Sequence, residues 1–418
     1  MLYTAERATG LGATPALAFA PAAASRGPHG PLATPAAKGA QPRICFVGLD
    51  NLPVLCREFG HHGAGGEQVQ HSLLARALAR RGLPVSMVVA DYGQPLHMER
   101  DGIALHRAHG LTEGVPVLRF VHPRITRLWA ALRRADADVY YVSCAGPQLA
   151  VVAAFARRHG RRVVFRIAHD RDCDPRQLLV RWARDRALYA WGLRRADTVL
   201  AQTSQQARAL RLHYGVGARI AGMLVEGDGA DLPWAQRDLD VLWVNNLRPF
   251  KRPDLALQLA RRLPELRLAM VGGPQSGHEV LFERTRAAAQ TLPQLRFEGA
   301  VPYHEVHDYY GRARVFVNTS DTEGFPNSYL QAWRRGTPTV AFFDPDRTIA
   351  RHGLGQAVGS VDEMVEAVRH LAQREDAWRA ASRRCRTFMN RQHDEDGVLA
   401  PYLEAFGAGL PGDVGRGA

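Results

Sequence analysis

The sequence predicts an α/β protein built from two doubly wound domains, each with a parallel sheet covered by helices on both faces. Three observations lead to this prediction: the length of 418 residues, the alternation of short β-branched runs with helical runs, and a restart of that alternation half-way along the chain. A chain of this length suits two domains of roughly 150–200 residues each. Apolar residues make up 46% and charged residues 23% of it, as in ordinary globular proteins.

The first half of the chain contains five predicted strands separated by helices. In Gln68–Arg81 apolar residues recur at helical spacing, and Gly82 ends that helix. Short strands with helices between them are typical of a parallel sheet. The strands are Arg43–Gly48, Val85–Ala90, Asp138–Val142, Arg162–Ile167 and Thr198–Ala201, and the other two predicted helices are Gln148–His159 and Pro175–Arg195.

The same alternation restarts near residue 239. Its strands are Leu239–Val244, Leu266–Gly272, Arg314–Thr319 and Thr339–Phe343, and its helices are Asp254–Arg262, Ser276–Thr291, Asn327–Gly336 and Val361–Arg386. The predicted domains are therefore residues 42–216 and 217–388. Residues 389–418 are expected to form a C-terminal helix that returns toward the first domain, followed by a tail.

Residues 1–41 are rich in Ala, Pro and Gly, and we expect a disordered tail or a misplaced start codon. Leu11–Ala24 is weakly apolar, but prolines interrupt or flank it and no basic segment precedes it, so a signal peptide is not favoured. No apolar run approaches the roughly 20 residues that span a membrane. The five cysteines are scattered without a CxxC pair, which favours a reducing, cytoplasmic setting over a disulfide framework or a zinc site.

The formal charge of +13 comes largely from arginine, since Lys38 and Lys251 are the only lysines. Such a charge favours anionic partners. The arginines are spread along helical stretches, however, and no basic module with interleaved aromatic residues is visible, so a nucleic-acid partner is not predicted. The pair His61-His62 lacks a third ligand at a suitable spacing, and no metal or other cofactor is expected.

Segment Arg124–Arg134 has the composition of an interfacial helix, because it combines arginines with Ile125, Leu128, Trp129 and Leu132. Two interpretations stay open. The segment could make peripheral contact with an anionic membrane at its inner face, or it could be an ordinary amphipathic helix packed on the sheet.

The most informative segment is Arg314–Phe343, which reads as a strand, a turn, a helix and a strand. Ligands of open parallel sheets bind beyond the carboxyl ends of strands. A helix that begins there, as Pro326 and Asn327 suggest, presents free N–H groups to a diphosphate. Gln331, one turn into the helix, leans back over the same ligand, and Glu323 could accept hydrogen bonds from sugar hydroxyls. The alternative is a plain capped helix with a solvated glutamate.

The run Asn318–Ala332, followed by Gly336-Thr337-Pro338, resembles the signature of retaining glycosyltransferase family 4. The resemblance implies the GT-B fold, in which two Rossmann-like domains face each other across a cleft. In that family two glutamates eight residues apart flank a GFP or GFG turn. Glu323 matches the first, which contacts the donor sugar, and Gln331 replaces the second, which holds the ribose hydroxyls. The turn and helix start also place Phe325, Asn327 and Ser328 at the donor.

Segment Val241–Pro253 resembles the family's strand and loop that carry an arginine and, five residues later, a lysine on the donor diphosphate. Lys251 matches the lysine. Asn246 occupies the arginine position, and Arg248 is interpreted as the source of the missing charge. A cation is needed because the leaving nucleotide diphosphate gains negative charge, and no metal motif is visible to meet it.

Further loops match the family more loosely. The glycine-rich loop His61–Glu67, with Gly65 and Gly66, resembles the one that lets donor phosphate or acceptor approach the backbone. His169 follows strand Arg162–Ile167, where the family carries a histidine on the donor sugar, although packing alone could also explain it. The resemblance implies that Gly273 faces the nucleotide and that the backbone at Val301 reads the base. The family's Pro-Asn-Gly turn before the second domain is replaced here by residues 226–229.

Taken together, the resemblance implies a metal-independent, retaining transfer from a UDP- or GDP-sugar to a polysaccharide, lipid-linked or other acceptor. His169, Glu323 and Lys251 are the expected catalytic residues, and the leaving phosphate takes the acceptor proton. Two alternatives stay open: a sugar-nucleotide epimerase of the same fold, and a non-catalytic nucleotide-sugar-binding component of a polysaccharide assembly system. The departures at Gln331 and Asn246 keep the second alternative in view.

Overall fold

The computed structural model describes residues 32, 34, 40–59, 65–114, 120–227 and 232–409. Most of the tail predicted over 1–41, the pair His61-His62, residues 228–229 and the end of the final tail lie outside these residues. Both sheets and their helices belong to one compact unit, Thr34–Ala418.

The first sheet has eight strands: β1 (Ile44–Val47), β2 (Val85–Val89), β3 (His97–Arg100), β4 (Ile103–Arg107), β5 (Val139–Ser143), β6 (Arg162–Arg166), β7 (Thr198–Ala201) and β8 (Arg219–Ile220). Their order is β3-β4-β2-β1-β5-β6-β7-β8, and every neighbouring pair is parallel except the β3–β4 hairpin. All residues of β1, β2 and β5 are buried, as expected for central parallel strands covered on both faces.

The second sheet has six strands: β9 (Leu239–Val244), β10 (Leu268–Val271), β11 (Leu295–Gly299), β12 (Ala313–Asn318), β13 (Thr339–Ala341) and β14 (Gly355–Ala357). Their order is β11-β10-β9-β12-β13-β14, with parallel pairing throughout. The carboxyl ends of β9, β10 and β12 therefore meet at one edge of the sheet. The predicted pair of parallel-sheet units is confirmed.

Helices connect the strands and cover the sheets. Those between strands of the first sheet are α1 (Leu52–Leu55), α2 (Gly66–Arg80), α3 (Thr126–Ala135), α4 (Gln148–Arg158), α5 (Ala183–Leu193) and α6 (Ser204–Tyr214). The remaining helices are α7 (Pro253–Arg262), α8 (Glu279–Ala289), α9 (Tyr303–Arg312), α10 (Asn327–Arg334), α11 (Thr348–His352), α12 (Val361–Gln373), α13 (Glu375–Gln392) and α14 (Glu395–Phe406). Leu399, Tyr402 and Phe406 of α14 belong to the same apolar core as β1. In the described part of the chain, no helix is both long and apolar enough to cross a bilayer.

Several elements differ from the sequence prediction. The hairpin β3–β4 was not predicted, although Asp101-Gly102 has positive φ at both residues and forms the two-residue turn that suits a hairpin. The helix predicted from Pro175 begins only at Ala183, because the Asp174 carboxylate accepts from the Arg176 N–H and holds a turn instead. The long helix predicted to Arg386 is two helices, broken at Arg374, and the first sheet extends to Ile220, past residue 216.

Candidate active site

The loops that follow β9 and β12 are fastened to each other at the carboxyl edge of the second sheet. Trp243 Nε1 donates to Thr319 Oγ1 at 2.9 Å, and that hydroxyl donates to the Lys251 carbonyl oxygen at 2.8 Å. The Asp321 N–H donates to the Phe250 carbonyl oxygen at 2.9 Å. Thr319 is fully buried, so these bonds fix the position of Lys251 relative to the turn after β12.

Lys251 and Glu323 form an ion pair in this loop cluster. The Lys251 ammonium donates to Glu323 Oε1, and only 15% and 9% of the two side chains are exposed. Burial alone raises the pKa of Glu323, but the Lys251 charge and its hydrogen bond outweigh burial, so the pKa lies below its ordinary value. Glu323 is therefore ionised and can only accept hydrogen bonds.

His169 follows β6 and reaches the same place from the first sheet. Its Nδ1 accepts a hydrogen bond from the Arg171 N–H at 3.1 Å, which assigns the proton of the neutral ring to Nε2. Burial lowers the pKa of His169 to about 4, so the ring is neutral at pH 7. Among the described residues, nothing accepts a hydrogen bond from the buried Nε2. His169 thus presents an N–H group within range of the charges of Glu323 and Lys251.

Gly324 lets the turn after β12 pass directly against the ends of β6 and β7. A Cβ at this position would lie 2.5 Å from the Ala168 carbonyl oxygen and even closer to Gln202 Oε1. The Phe325 N–H donates to Gln202 Oε1 at 2.7 Å. Only glycine fits this approach, and the turn is thereby bonded to the first sheet as well as to the second.

Two helices begin beside this turn, one from each sheet. Asn327, the first residue of α10, donates through Nδ2 to the carbonyl oxygen of Gly66, the first residue of α2, at 2.7 Å. The N-cap residues of the two helices are Gly65 and Pro326. Neither has a side chain that can accept a hydrogen bond from the first N–H groups of its helix. Helix starts of this kind attract anions through their first N–H groups, which in α10 include that of Ser328.

The loops after β9, β10 and β11 lie together at the same sheet edge. A Cβ on Gly272 would overlap the Asn245 carbonyl oxygen, and one on Gly273 would lie 2.9 Å from Ala300 Cβ. The Gly272 N–H also donates to the Gly299 carbonyl oxygen at 2.7 Å. Close backbone approach therefore brings together the loops of the predicted donor residues Asn246, Gly273 and Val301.

A cavity of about 640 Å³ lies next to the ion pair and has walls from both sheets. Arg171 comes from the first sheet, and Arg248 and Phe250 come from the second. Arg248 is exposed and donates to Gln275 Oε1 at 2.8 Å. The Arg248 guanidinium thus contacts Gln275 while its charge also acts on His169, and its role on the donor diphosphate stays a prediction.

Two family models match successive parts of the chain. The model of the glycosyl transferase 4-like domain matches residues 65–222, and that of the glycosyl transferases group 1 matches residues 238–374. The chain belongs to glycosyltransferase family 4. The first match covers β2 to β8 and the second covers β9 to β14.

Relatives with a curated name share part of this family-4 chain. A D-inositol 3-phosphate glycosyltransferase of Geodermatophilus obscurus is 31% identical over 240 residues, which is 50% of this chain and 53% of the relative. One of the same name from Kribbella flavida is 33% identical over 175 residues, 35% of this chain and 40% of the relative. The chain thus matches about half, or less, of the length of these relatives.

Solved structures confirm the GT-B fold. HepE of Anabaena in complex with UDP and glucose has a TM-score of 0.66 at 15% identity, and the match covers 87% of this chain and 98% of HepE. Sucrose-phosphate synthase of Thermosynechococcus elongatus has a TM-score of 0.69 at 16% identity, with the same two coverages. At such low identity the likeness establishes the fold alone.

Gln331 is the clearest departure of this family-4 chain from the family pattern. Its Oε1 accepts from Arg335 Nη1 at 3.0 Å, and its Nε2 donates to the Tyr303 hydroxyl at 3.3 Å. Gln331 and Arg335 are each 5% exposed. A glutamate at this position would pair with the buried guanidinium, whereas the amide leaves the positive charge of Arg335 without a carboxylate in this contact.

Sequence reasoning missed three residues that shape the site. Gln202 and Thr319 are polar residues directly after strands, and that placement was the available signal. Arg335 lies one helical turn after Gln331, a spacing that by itself indicates nothing about a ligand. In the described part of the chain, no three His, Cys, Asp or Glu side chains gather as a metal site.

Proposed function

We propose that the chain is a retaining glycosyltransferase that moves a sugar from a nucleotide-diphosphate donor, a UDP- or GDP-sugar, to a hydroxyl of an acceptor. The observation that carries this proposal is the buried Lys251–Glu323 pair between two helix starts, with the Nε2–H of His169 beside it. The site therefore combines a cation and backbone N–H groups, which suit a diphosphate, with a hydrogen-bond acceptor (Glu323) and a hydrogen-bond donor (His169), which suit a sugar.

The diphosphate is the ligand that Lys251 suits. An ammonium has three N–H donors, so its bond to Glu323 leaves donors for phosphate oxygens. The first N–H groups of α10, at Asn327 and Ser328, and those of α2 after Gly65 add to the same positive field. Fixed charges of this kind stabilise the negative charge that grows on the diphosphate as the glycosidic bond breaks. We expect no metal ion in this role.

Glu323 and His169 are suited to bind the sugar of the donor. The ionised carboxylate of Glu323 accepts hydrogen bonds from sugar hydroxyls, and the neutral His169 ring donates its Nε2–H to a sugar oxygen. Because one group only accepts and the other donates, together they favour one orientation of the ring.

The proposed reaction requires no nucleophile from the protein. The bond from the anomeric carbon to the diphosphate oxygen breaks, and a bond from the same carbon to the acceptor oxygen forms on the same face. The proton of the acceptor hydroxyl moves to the leaving phosphate oxygen. The anomeric configuration is retained, and Lys251 stabilises the departing dianion.

The nucleoside end of the donor fits the loops after β10 and β11. Gly273 permits close approach of the backbone and Val301 offers backbone groups to the base. Gln331, already bonded to Arg335 and Tyr303, has its second amide N–H left for the ribose. Three of the similar solved structures, two of them of HepE, hold UDP, which supports a UDP-sugar as the first donor to test.

A thermal-shift panel of UDP- and GDP-sugars, followed by transfer assays with the donor that stabilises the protein, tests the proposal. A bound ligand raises the melting temperature by mass action. We expect one donor class to stabilise and then to glycosylate an acceptor with retention. Isomerisation of the donor without acceptor would instead indicate an epimerase, binding without turnover a non-catalytic component, and no stabilisation by any donor would contradict the proposal.

We also propose peripheral contact with anionic lipid, but not through Arg124–Arg134. In that segment Leu128 and Leu132 are buried, and Trp129 packs on Phe155 with ring centroids 5.0 Å apart. Its apolar residues thus face the protein, as an ordinary amphipathic helix requires.

Exposed apolar residues lie on the neighbouring surface. Val121, Leu179 and Trp182 are 59%, 54% and 59% exposed, and the Arg184 guanidinium stacks 3.6 Å from the Phe120 ring, which joins the two segments. Exposed aromatic and aliphatic side chains among arginines suit a membrane interface.

Co-sedimentation with vesicles that contain anionic lipid tests this contact. We expect a Leu179→Ser/Trp182→Ala variant to lose binding, and a Leu212→Ser variant, at an exposed site outside this surface, to keep it. Equal binding by both variants, or no salt-sensitive binding by the unaltered chain, would end the proposal.

A further inference from the structure

The cavity of about 640 Å³ beside the ion pair carries more positive than negative charge. The guanidiniums of Arg171 and Arg248 belong to its lining, one from each sheet, and Asp321 is the one carboxylate among the described lining residues. That carboxylate lies 3.3 Å from Arg252, which does not belong to the lining. An anion in the cavity would therefore meet two cations and one carboxylate that already has a partner, so its charge is favoured there.

The two guanidiniums of the cavity contact neutral groups. Arg248 donates to the amide oxygen of Gln275 at 2.8 Å, and Arg171 lies over the Phe250 ring, 5.7 Å from its centroid. In the described part of the chain, neither forms an ion pair with a carboxylate. A guanidinium has five N–H donors. Both side chains therefore keep donors for the oxygens of a phosphate, whose geometry a guanidinium matches.

The cavity adjoins the place where the sugar is proposed to react. Phe250 lines it, and the Phe250 ring meets the His169 ring edge-on with centroids 5.8 Å apart. Burial is the main cause of the low pKa of His169, and the charges of Arg171 and Arg248 contribute to it, so both lie close to this ring. Lys251, which is assigned to the donor diphosphate, does not line the cavity. A phosphate held here would thus lie beside the reacting centre and apart from Lys251.

One wall of the cavity leads to the exposed apolar surface. Leu179 lines the cavity and is 54% exposed, and Trp182, three residues later, is 59% exposed. The Arg181 guanidinium lies 5.0 Å from the centroid of the Trp182 ring. Exposed apolar side chains next to arginines suit the interface of an anionic membrane. A ligand with both a phosphate and an alkyl chain would contact Arg171 and Leu179 at once, whereas a free phosphate or a neutral lipid would use only one of them.

We propose that this cavity receives the phosphate of a lipid-linked acceptor, with Arg171 and Arg248 on the phosphate and the lipid chain leaving across Leu179 toward the exposed apolar surface. The inference rests on the proposed transferase function and names the chemical class of its second substrate. In such an acceptor a phosphate joins the hydroxyl-bearing unit to the lipid, so a hydroxyl of that unit reaches the place beside His169.

Binding of three small probes to the full chain tests the proposal. Saturating UDP occupies the site of the donor diphosphate, so that a second phosphate does not bind at Lys251. The probes are decyl phosphate, decyl glucoside and inorganic phosphate, measured by calorimetry below the concentrations at which micelles form. We expect decyl phosphate to bind about tenfold or more tighter than either of the others, since a charge-assisted bond and several buried methylene groups each account for such a ratio.

The two simpler probes define how the proposal fails. If decyl glucoside binds as tightly as decyl phosphate, the phosphate has no part in recognition. If inorganic phosphate binds as tightly, the lipid chain has none. Either result, or no binding of decyl phosphate, would overturn the proposal.

Variants at the two ends of the cavity place each half of the ligand. We expect Arg171→Gln to weaken binding of decyl phosphate about tenfold and to leave decyl glucoside unchanged, and Leu179→Ser to weaken both alkyl probes about threefold. Arg176→Gln, at an arginine whose side chain is 79% exposed and lies 3.6 Å from Asp174, is the matched control. The same affinity for decyl phosphate in Arg171→Gln and Arg176→Gln would contradict the site.

UDP binding by the same samples shows which substrate the two arginines contact. We expect Arg171→Gln and Arg248→Gln to bind UDP with unaltered Kd. Loss of UDP binding in either variant, with decyl phosphate binding kept, would place that arginine on the donor diphosphate and contradict its part in this site.

Donor binding also separates this inference from the proposed function. If a nucleotide-sugar stabilises the unaltered chain but decyl phosphate does not bind, the acceptor inference fails and the proposed function stands. If neither UDP nor any nucleotide-sugar binds, the proposed function fails and the inference falls with it.

Discussion

The two sheets differ in how the buried carboxylates at their carboxyl edges are paired with cations. On the donor side the buried carboxylate of Glu323 has the Lys251 ammonium as its partner, and the loops that carry both are bonded to each other. In a second cavity of about 350 Å³, at the carboxyl ends of β1 and β5, Asp50 and Glu67 line the wall, and burial raises the pKa of each, a rise that the guanidinium of Arg166 only partly opposes for Glu67. The carboxylate on the donor side is thus held ionised by a bonded partner, whereas burial dominates at the other two. The substitutions described next alter the donor side and test whether its charges and contacts act as proposed.

Glu323→Gln should have the largest effect on catalysis. It removes the ionised acceptor and the charge partner of Lys251, and the loss of one such group typically costs about 2–4 kcal/mol in the transition state. Steady-state kinetics should show kcat lower by about 30- to 1000-fold at that cost. Glu366→Gln, at an exposed carboxylate 3.2 Å from Arg369, is the control. A variant with the unaltered rate would remove Glu323 from the sugar site.

Gly324→Ala should reduce both stability and activity. Its Cβ would meet the Ala168 carbonyl oxygen at 2.5 Å, so the turn must move away from the first sheet. Overpacking of this kind costs about 1–3 kcal/mol, which thermal unfolding measures. Gly217→Ala, at a residue with open space around it, should leave the melting temperature nearly unchanged. Equal melting temperatures for the two variants would contradict the close contact.

His169→Gln should lower kcat/KM by about tenfold, the value of one hydrogen bond to the substrate. The sign of the pH dependence follows from the pKa of about 4, which lies below the ordinary value near 6.5. The ring therefore stays neutral from about pH 5.5 to 8.5, and the ratio of unaltered to variant rates should be constant over that range. An inflection near pH 6.5 that disappears in the variant would show that the ring titrates there.

Gln331→Glu should have the smallest effect, and it should improve donor binding. It restores the carboxylate of the family pattern and pairs it with the buried Arg335. We expect Kd for the donor, measured by calorimetry, to fall about three- to tenfold, since a charge-assisted bond is roughly twice as strong as a neutral one. Weaker binding than in the unaltered chain would indicate that Arg335 contacts the ligand directly and that the new carboxylate competes with the ligand for it.

Much of the fold could be predicted because its signals are local. The runs at Leu239–Val244 and Thr198–Ala201 are mostly apolar, with one polar residue each, and match the strands found. Helix α5 was predicted too long because Asp174 competes locally for backbone N–H groups. Strand β11 and helix α9 were missed, since mixed polar stretches such as Leu295–Gly299 show no strong period. The domain boundaries stay predictions.

The candidate site was also predictable only where its signals are local in the sequence. Glu323, Lys251 and Asn327 were named from a continuous motif and its upstream partner, and the structure places these three side chains close to one turn, while their roles stay proposals. Gln202 was missed because its contact with Phe325 joins residues 123 positions apart. The cavity at the carboxyl ends of β1 and β5 was missed for a related reason: its lining residues, among them Asp50, come together only when the chain folds.

The most direct test of the central claim is the binding and turnover of the stabilising nucleotide-sugar by Lys251→Ala, with Arg286→Ala, a surface arginine paired with Glu283, as the matched control. Circular dichroism on the same samples verifies folding. We predict that the Lys251 variant loses transfer by about 100-fold or more, the cost of one preorganised charge at the leaving group, while the Arg286 variant keeps it. Full transfer by folded Lys251→Ala would contradict the assignment of this site to the donor diphosphate.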